Sequence, residues 1–440
     1  MNTSTSYAFP SRRDFLKTSA TLTGAALTGA LASPRAVHAA GSDVIRIGLI
    51  GCGGRGTEAA LNAMNAGKDV QVVALADIFQ ERLDASLARL QGAKPDQVAV
   101  KPEHHFIGFD AYQRLLACGV DAVLIAPASH FIPVILQAAV AAGKHVFCEK
   151  PHGIDMPGLK ISMAACEEAR KKNLSVVSGL CWRYDAGVRE AMKRIHDGWI
   201  GEIVAIQSTY VSTPYIMRER KPGQSEIEWQ FWNWYHFNWL SGDQTAQQLV
   251  HSLDKASWAL RDQPPLKCWG MGGRQTCLEP KFGDQFDHHS VIFEYPRGVR
   301  VFGYCRDQAE CWNNTSDYLM GTKGRCNLLS FHIEGERSWR YDGPRPNMYD
   351  VEHAELFQSI RAGQPLNNGN YMCLSSALGI MAQMACYSGQ VVAYEDAMKS
   401  RRSFSLPRYG WDVPPPVQPG PDGRFPAPAQ SHAAYALWQM

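Results

Sequence analysis

The sequence has no cluster of cysteine or histidine residues at metal-binding spacing. Its twelve cysteines are scattered singly, without a C-x-x-C pair or a Cys/His pattern typical of zinc sites. Forty-four Lys and Arg residues against forty-two Asp and Glu residues give a formal net charge of +2. The longest basic run is the one in "ARKKN", so no segment concentrates positive charge. We therefore expect no metal, no disulfide framework and no nucleic-acid partner.

Long apolar runs are also missing. The mildly apolar stretch "TSATLTGAALTGALA" (residues 18–32) is shorter than the ~18 residues that span a bilayer. It follows "SRRDFLK" (residues 11–17) and precedes small residues with a cleavage point after Ala39, which is the layout of a secretory signal. The arginine pair resembles the twin-arginine signal, which exports folded proteins. We predict a signal peptide over residues 1–39, a periplasmic or otherwise exported protein, and no membrane span once the signal is removed.

Strand-like and helix-like segments alternate from Val44 onward. The strand-like runs are "VIRIGLI", "VQVVALA", "DAVLIA" and "KHVFC". Helical patterns lie between them, over Arg55 to Ala66, Phe79 to Leu90, Asp110 to Ala117 and Phe131 to Ala142. This alternation predicts an α/β Rossmann domain with a doubly wound parallel sheet. We place that domain at residues 41–152, an α+β domain at residues 153–400 and a Pro-rich arm at residues 401–440.

A glycine-rich turn joins the first predicted strand to the first helix. Gly51 permits the tight turn, Gly53 lets backbone N–H groups approach a pyrophosphate, and Gly56 allows the helix to pack close to its strand. Gly54 and Arg55 lie in the same turn and are assigned to the cofactor with them. Because the required strand precedes the turn and the required helix follows it, the pattern predicts a dinucleotide-binding site.

The second predicted strand ends in Asp77, at the place where an acidic side chain binds the adenosine ribose 2′-hydroxyl. Ile78 and Phe79 follow it without an adjacent arginine, so a 2′-phosphate would be repelled and NAD is favoured. NADP stays open because Arg82 is within reach. A second interpretation makes Asp77 a simple helix N-cap.

The fourth predicted strand is followed by "CEKPHG". With the glycine turn, "IAPASHFIPVILQAAVAAGKHVFCEKP", "WRYDAGVREAMKRIHDGWIGEI", "QLVHSLDKASWAL" and "LMGTKGRCNL", the sequence resembles the glucose–fructose oxidoreductase and inositol dehydrogenase family (Gfo/Idh/MocA). The resemblance runs from about Val44 to Asp396. It implies that the second domain is a large, mostly antiparallel open sheet whose face receives the substrate against the nicotinamide ring.

The same resemblance assigns residues to the site. It places a catalytic lysine at Lys150 and a catalytic histidine at His251. It also assigns Pro127, His130 and Glu149, together with Lys150, to the cofactor.

The chemistry gives an independent reason for these residue types. Hydride leaves a carbinol carbon only as a base takes the hydroxyl proton, and a histidine or a lysine with a depressed pKa does this near neutral pH. Four residues before His251, where the family usually carries an acid, this sequence has Gln247, which can orient a hydroxyl but cannot ionise. Since Gln247, His251 and Asp254 share one helix face, we expect Asp254 to orient His251.

The substrate side is predicted from aromatic residues. The segment "EIEWQFWNWYHFNWLSGD" (residues 226–243) contains Trp234 and Tyr235, and flat amphipathic rings stack on the apolar faces of sugars. Core or oligomer-interface packing is the alternative for this segment. Arg183 and Tyr184, in "CWRYD", are further candidates for hydroxyl contacts.

Three functions stay open at this point. The first is an NAD(P)-dependent oxidoreductase that acts on a sugar or cyclic polyol and recycles a tightly held cofactor, because an exported protein has no nicotinamide pool. The second is an NAD-dependent glycoside hydrolase that works by transient oxidation and elimination. The third is a sugar-binding relative without turnover, which Gln247 suggests. We also expect a homo-oligomer, with the strands of "HHSVIFEYPRGVRVFGYCR" in a packing or dimerisation sheet.

Overall fold

The structure is a computed structural model that describes residues 44–426 and residue 430. The predicted signal peptide over residues 1–39 and the last part of the Pro-rich arm lie outside the described residues.

The first sheet forms the predicted Rossmann fold. Its strands are β1 (Ile45–Ile50), β2 (Val70–Asp77), β3 (His105–Ile107), β4 (Ala122–Ile125), β5 (His145–Cys148) and β6 (Val176–Ser178). They are parallel, in the order β3-β2-β1-β4-β5-β6. The connecting helices are α1 (Gly54–Asn65), α2 (Gln80–Ala93), α3 (Ala111–Ala117), α4 (Ile132–Ala141) and α5 (Met156–Lys171). The sheet includes β6, so it continues beyond residue 152, where the sequence placed the domain boundary.

The central strands of this sheet are apolar because helices cover both of its faces. Ile47 and Leu49 of β1 are fully buried, as are Val123 and Leu124 of β4. Ligands bind such sheets at the carboxyl ends of the strands, where the strand order reverses between β1 and β4. The topology therefore places a binding crevice beside the glycine turn.

The second sheet has nine strands and is mostly antiparallel, as predicted. Its strands are β7 (Ile203–Ser212), β8 (Lys267–Gly273), β9 (His288–Glu294), β10 (Arg300–Asp307), β11 (Asn314–Gly321), β12 (Gly324–Asn327), β13 (His332–Gly335), β14 (Trp339–Arg340) and β15 (Val392–Ala393). The order is β14-β13-β12-β11-β7-β10-β9-β8-β15, and β7 and β10 run parallel. The predicted pair of antiparallel strands around a Pro-Arg-Gly turn is confirmed as β9 and β10.

Among the described residues, seven α-helices follow β6, of which Val250–Ala259 and Gly369–Ser388 pack against strands of the second sheet, whereas Met348–Ala362 packs against the Rossmann strands β5 and β6. The seven helices are α6 (Ala186–His196), α7 (Glu226–Trp232), α8 (Asn238–Ser241), α9 (Val250–Ala259), α10 (Met348–Ala362), α11 (Gly369–Ser388) and α12 (Tyr394–Ala397), with a π-helical turn at Thr245–Leu249 directly before α9. Helix α11 is apolar on all sides and contacts α5, α9 and β8. It therefore joins the two sheets through one buried core.

The Pro-rich arm packs against the body over its described part. Residues 401–426 contain neither helix nor strand. Tyr409 and Trp411 contact Phe109, and Phe425 packs edge-on against Phe237 with ring centroids 4.9 Å apart. The described arm is therefore an ordered part of the fold.

Membrane-spanning helices and metal-binding clusters are both missing from residues 44–426. None of the helices there combines the length and apolar character needed to cross a membrane. In the same part of the chain, no three His, Cys, Asp or Glu side chains are grouped so that they could hold a metal ion.

Candidate active site

A cavity of about 620 Å³ lies between the carboxyl edge of the Rossmann sheet and the second sheet. Its walls come from the glycine turn, the ends of β2, β4, β5 and β7, the π-helical turn and the aromatic segment. The predicted site residues that line it are Gly51, Gly53, Gly54, Arg55, Gly56, Asp77, Pro127, Glu149, Lys150, Trp234, Tyr235, Gln247 and His251.

The glycine turn has the shape of a pyrophosphate cradle. Gly51 has a φ of +95°, and a Cβ on Gly56 would lie 1.9 Å from the Gly51 carbonyl oxygen. A Cβ on Gly53 would meet no atom within 4 Å, because Gly53 faces the open cavity. Helix α1 begins at Gly54, so its free N–H groups and positive dipole end face the same space. These residues fit the pyrophosphate of a dinucleotide.

Asp77 lies at the carboxyl end of β2 on the cavity wall. Its two oxygens accept hydrogen bonds from the main-chain N–H groups of Cys52, at 2.7 Å, and Phe79, at 2.9 Å. Burial raises the pKa of this carboxyl, and the positive charge of Arg82 opposes that shift. The amide bonds fix the carboxylate beside the glycine turn, with further lone pairs available to a ribose diol.

A pair of arginines lies at the same end of the cavity. Arg82 and Arg218 both line it, and their guanidinium groups lie 4.6 Å and 5.0 Å from the ring centroid of Trp232. Burial lowers the pKa of Arg82 to about 10, and the neighbouring charge of Arg218 acts in the same direction. Because Asp77 and two arginines share this end, the geometry does not separate NAD from NADP.

Arg55 links the glycine turn to the Glu-Lys-Pro element. Its Nε donates to Glu149 Oε1 at 2.5 Å, and its Nη2 lies 3.7 Å from Glu352 Oε1. The guanidinium group also lies over the Tyr349 ring, 4.7 Å from its centroid. Burial raises the pKa of Glu352 well above its usual range. The Arg55 guanidinium group therefore lies between the glycine turn, which would hold a pyrophosphate, and the Glu-Lys-Pro element, which follows β5 and contains Lys150.

Lys150 and His251 meet at the other end of the cavity. Lys150 Nζ donates to the main-chain oxygen of Gln247 at 2.8 Å. Burial lowers the pKa of Lys150, and burial together with the charges of Lys150, Lys255 and Arg55 lowers the pKa of His251 well below its usual value. Burial therefore disfavours the protonated form of both groups, and the imidazole of His251, in its neutral form, can accept a proton.

Gln247 sits inside the π-helical turn and faces the cavity. Its Nε2 donates to Ser129 Oγ at 2.8 Å and also to the main-chain oxygen of Ser241. A π-turn adds a residue to the helix and often occurs at functional sites. Here the π-helical turn directs the main-chain carbonyl of Gln247 toward Lys150. The Gln247 side chain is bound by neutral groups of Ser129 and Ser241.

Asp254 does not orient His251, contrary to the expectation from helix spacing. Its oxygens accept from Arg183 Nη2, at 2.8 Å, from Arg183 Nε and from Ser375 Oγ. Asp254 is 1% exposed and Arg183 is 8% exposed, so the pair is a buried ion pair rather than part of the site. His251 Nδ1 has no hydrogen-bond partner among the described residues.

The structure also places three predicted site residues outside the cavity wall. Arg183, predicted to bind substrate, also pairs with Asp262. Tyr184 is buried and donates to Asn368 Oδ1. His130 lies behind the wall, where its Nε2 is 2.5 Å from Tyr409 Oη. These side chains are held by partners distant in sequence, which no local pattern indicated.

The aromatic segment divides between the cavity and the core. Trp234 and Tyr235 line the cavity, whereas Trp229, Phe237 and Trp239 are buried in an apolar cluster. The core interpretation therefore holds for part of the segment, and sugar stacking stays a prediction for Trp234 and Tyr235.

A tyrosine pair extends the aromatic wall. Tyr215 stacks on Tyr235 with ring centroids 4.0 Å apart, and Tyr215 remains 42% exposed. The Tyr210 ring lies nearly parallel to His251 at 6.4 Å. Flat rings therefore flank the Lys150 end of the cavity.

Some lining residues were missed by sequence reasoning. Ser129 follows β4 in "PASH", a segment that carried the family resemblance and could have indicated it. Tyr349, on α10, lies almost 300 residues from Arg55 in sequence, so no local signal connects them.

The comparison with family models agrees with this geometry. Residues 45–178 match the model described as "Oxidoreductase family, NAD-binding Rossmann fold" (GFO_IDH_MocA). The match supports a Gfo/Idh/MocA family oxidoreductase.

Similar curated proteins are inositol 2-dehydrogenases. The protein of that name from Klebsiella pneumoniae (strain 342) is 28% identical over 218 residues, which cover 50% of this chain and 55% of the relative. The one from Pseudomonas fluorescens (strain SBW25) is 29% identical over 337 residues, covering 73% of this chain and 87% of the relative. The alignment thus spans about half the length of the first relative and most of the second.

Solved structures share the fold. An aldose-aldose oxidoreductase from Caulobacter crescentus, complexed with glycerol, has a TM-score of 0.62 and 19% identity over 80% of this chain and 99% of that one. A myo-inositol dehydrogenase from Lactobacillus casei, in complex with NAD(H) and myo-inositol, has a TM-score of 0.60 and 16% identity over 80% of this chain and 96% of that one.

Proposed function

We propose that the protein is an NAD(P)-dependent oxidoreductase that acts on a sugar or cyclic polyol and recycles a tightly held cofactor. The observation that carries the proposal is one continuous cavity with the glycine cradle at one end and Lys150 beside His251 at the other. Relatives named inositol 2-dehydrogenase support the substrate class.

In this proposal, the bound dinucleotide supplies the hydride acceptor. The glycine turn and the α1 N-terminus hold its pyrophosphate, and Asp77 accepts from the ribose diol. Lys150, in its neutral form, takes the proton of the substrate hydroxyl. His251, also neutral, accepts from the same or the neighbouring hydroxyl. Trp234, together with the stacked tyrosine pair, holds the ring and excludes water.

The C-terminal arm supports retention of the cofactor. Phe109 and Phe231 line the cavity, and Trp411 packs behind them at centroid distances of 4.9 Å and 5.9 Å. Tyr409 contacts Phe109 and Phe131 on the same wall. In this proposal, the arm supports an aromatic wall of the cavity from behind and so slows release of the nucleotide.

We further propose export through the twin-arginine route, on the motif at Arg12 and Arg13. Folded-state export lets a protein carry its nucleotide across the membrane. Replacing both arginines with lysine should shift the protein from the periplasmic to the cytoplasmic fraction, and unchanged fractionation contradicts this route.

One experiment tests the main proposal against its alternative. Redox-neutral glycoside cleavage is the second candidate, because a cofactor without a pool must be regenerated in place. The purified protein is incubated with a panel of polyols, sugars and glycosides in deuterated water. Net oxidation without cleavage supports the oxidoreductase. Free sugar carrying deuterium at C2, without net reduction of cofactor, supports the hydrolase. A third result, binding without turnover across the panel, supports the sugar-binding relative.

We also propose that the outer face of the second sheet joins two copies of the chain. The strand register aligns Trp269, Ile292, Phe302, Gln207 and Tyr318 in one row across five strands, and four of these five side chains are aromatic or aliphatic. Tyr318 is 42% exposed, which suits an interface better than free solvent. Light scattering should give at least twice the chain mass for the wild type and a smaller species for Phe302→Glu. A monomeric wild type contradicts the proposal.

A further inference from the structure

Asp307 is a buried carboxyl next to the Lys150 end of the cavity. It ends β10, directly opposite Ser212 at the end of β7. It is 4% exposed, and its Oδ1 has no hydrogen-bond partner among the described residues. The Ser212 side chain and the main-chain N–H of Tyr215 hydrogen-bond to the carboxyl group. Ser212 and Tyr215 line the cavity, but Asp307 lies one layer behind them.

The surroundings of Asp307 favour a protonated carboxyl. Burial raises its pKa to about 7, and the negative charges of Asp243 and Asp287 act in the same direction. The other titratable groups that face it, from β7, β10 and the segments packed against them, are Tyr210, Tyr235, His236, Cys277 and Cys305. None of these groups is a cation that pairs with Asp307. With a pKa of about 7, the carboxyl gains and loses its proton near neutral pH instead of forming an ion pair.

Asp307 has access to the cavity on one side and to a small internal space on the other. Ser212 Oγ donates to Gln248 Oε1 at 3.2 Å, and Gln248 lines the cavity three residues before His251. On the far side, an internal cavity of about 10 Å³ is lined by Asp307, Asp287 and His236, which is close to the space that one water needs. Ser212 thus lies between the buried Asp307 carboxyl and the cavity that would hold the substrate.

A second proton site would let the proposed reaction protonate a substrate oxygen other than the one that Lys150 serves. Lys150 takes the proton of the hydroxyl that is oxidised, and Gln247, where the family usually has an acid, cannot ionise. A cycle that later protonates another substrate oxygen needs a group that carries a proton near neutral pH. Among the described residues that contact the cavity wall at this end, Asp307 meets that requirement.

We propose that Asp307 is a positioning residue that stores this proton and exchanges it with a substrate oxygen through Ser212. This inference rests on the proposed function. In the forward step, the Ser212 hydroxyl gives its proton to the substrate oxygen while the Asp307 carboxyl gives its own to Ser212 Oγ. The products are a protonated substrate oxygen and an Asp307 carboxylate. The reverse step restores the Asp307 carboxylic acid and the deprotonated substrate oxygen. No oxidant or reductant takes part.

The test combines infrared spectroscopy with kinetics on the full-length protein. In the wild type, the band of a protonated carboxyl should disappear as the pH rises through about 7. Asp307→Asn should lack the component of that band that titrates near pH 7, while other buried carboxyls such as Glu352 keep theirs, and its turnover should fall roughly 10²-fold with little change in KM. The turnover of this variant, plotted against pH, should lack the change in rate near pH 7 that the wild type shows. Ser212→Ala should keep the band and lose turnover, so it tests the relay even if Asp307→Asn does not fold. Glu202→Gln, at an exposed site, is the matched carboxyl control.

Several outcomes overturn the inference. They are the absence of the band in the wild type, an identical titrating band in Asp307→Asn, and an unchanged pH profile in either variant. If the wild type turns over no substrate but shows the band, the proposed function fails and the proton-holding state of Asp307 stands.

Discussion

Lys150 Nζ lies 2.8 Å from the main-chain oxygen of Gln247 and donates a hydrogen bond to it. The bond joins the end of the Rossmann sheet to the π-helical turn before α9. A carbonyl is a neutral acceptor, so it orients the amine without stabilising its charge as a carboxylate would. Burial can then lower the pKa of Lys150, which is what a base needs.

The first prediction concerns Lys150. Replacing it with Met should lower turnover by about 10²–10⁴-fold, while the cofactor stays bound, because the base is lost and the cradle is intact. In the wild type, oxidation should increase as the pH rises through the lowered Lys150 pKa, since the neutral amine is the active form. Lys171→Met, on an exposed part of α5, should leave both properties unchanged. Full activity in Lys150→Met would show that another group takes the proton.

The second prediction separates two glycines of the same turn. Gly53 has φ −70° and ψ −178°, an extended conformation open to any residue, and its Cβ direction is empty. Gly53→Val should therefore fold normally but lose the bound nucleotide. Gly56→Ala places a Cβ 1.9 Å from the Gly51 oxygen, so it should destabilise the fold by about 1–3 kcal/mol. Absorbance of the acid-released nucleotide and thermal unfolding measure the two effects, and equal nucleotide content in Gly53→Val and wild type counts against the cradle.

Sequence patterns predicted those parts of the molecule that depend on local periodicity. The Rossmann strands, the glycine turn and Asp77 follow from alternating apolar segments and their turns. The pairing of Asp254 could not be predicted this way, because its partner Arg183 is 71 residues distant. A helix-face argument finds which side chains share a side of a helix but not which buried group outside the helix binds them.

The third prediction concerns the C-terminal arm. Trp411→Ala removes the ring that packs behind Phe109 and Phe231, so the nucleotide should dissociate faster, by roughly 10-fold for a loss of about 1.4 kcal/mol. Trp312→Ala removes a tryptophan that is 73% exposed and serves as the control. Stopped-flow displacement of a fluorescent nucleotide analogue measures the rate. Equal rates in the two variants would mean that the arm does not retain the cofactor.

The fourth prediction concerns the residue that departs from the family pattern. Gln247 Nε2 donates to Ser129 Oγ and to the Ser241 carbonyl oxygen. In Gln247→Glu, an ionised carboxylate would face that carbonyl without a proton to donate, so the free energy of unfolding should fall by about 1–3 kcal/mol. Urea denaturation measures this change. A gain in both stability and turnover would show instead that the site accepts the acid.

The last prediction uses the pH dependence of stability to test Asp307 without any substrate. Its carboxyl has a pKa of about 7 in the folded protein, against an ordinary value of 3.8. Between these values the folded state holds one more proton than the unfolded state, so this group's contribution to stability is present at low pH and is lost as the pH rises through about 7. The slope is about 1.4 kcal/mol per pH unit. The free energy of unfolding of Asp307→Asn should therefore increase, relative to that of the wild type, by about 2–3 kcal/mol from pH 5 to pH 7, because the wild type loses this contribution and the variant does not. Urea denaturation of both proteins at each pH measures the difference. Parallel curves would mean that Asp307 is ionised throughout and stores no proton.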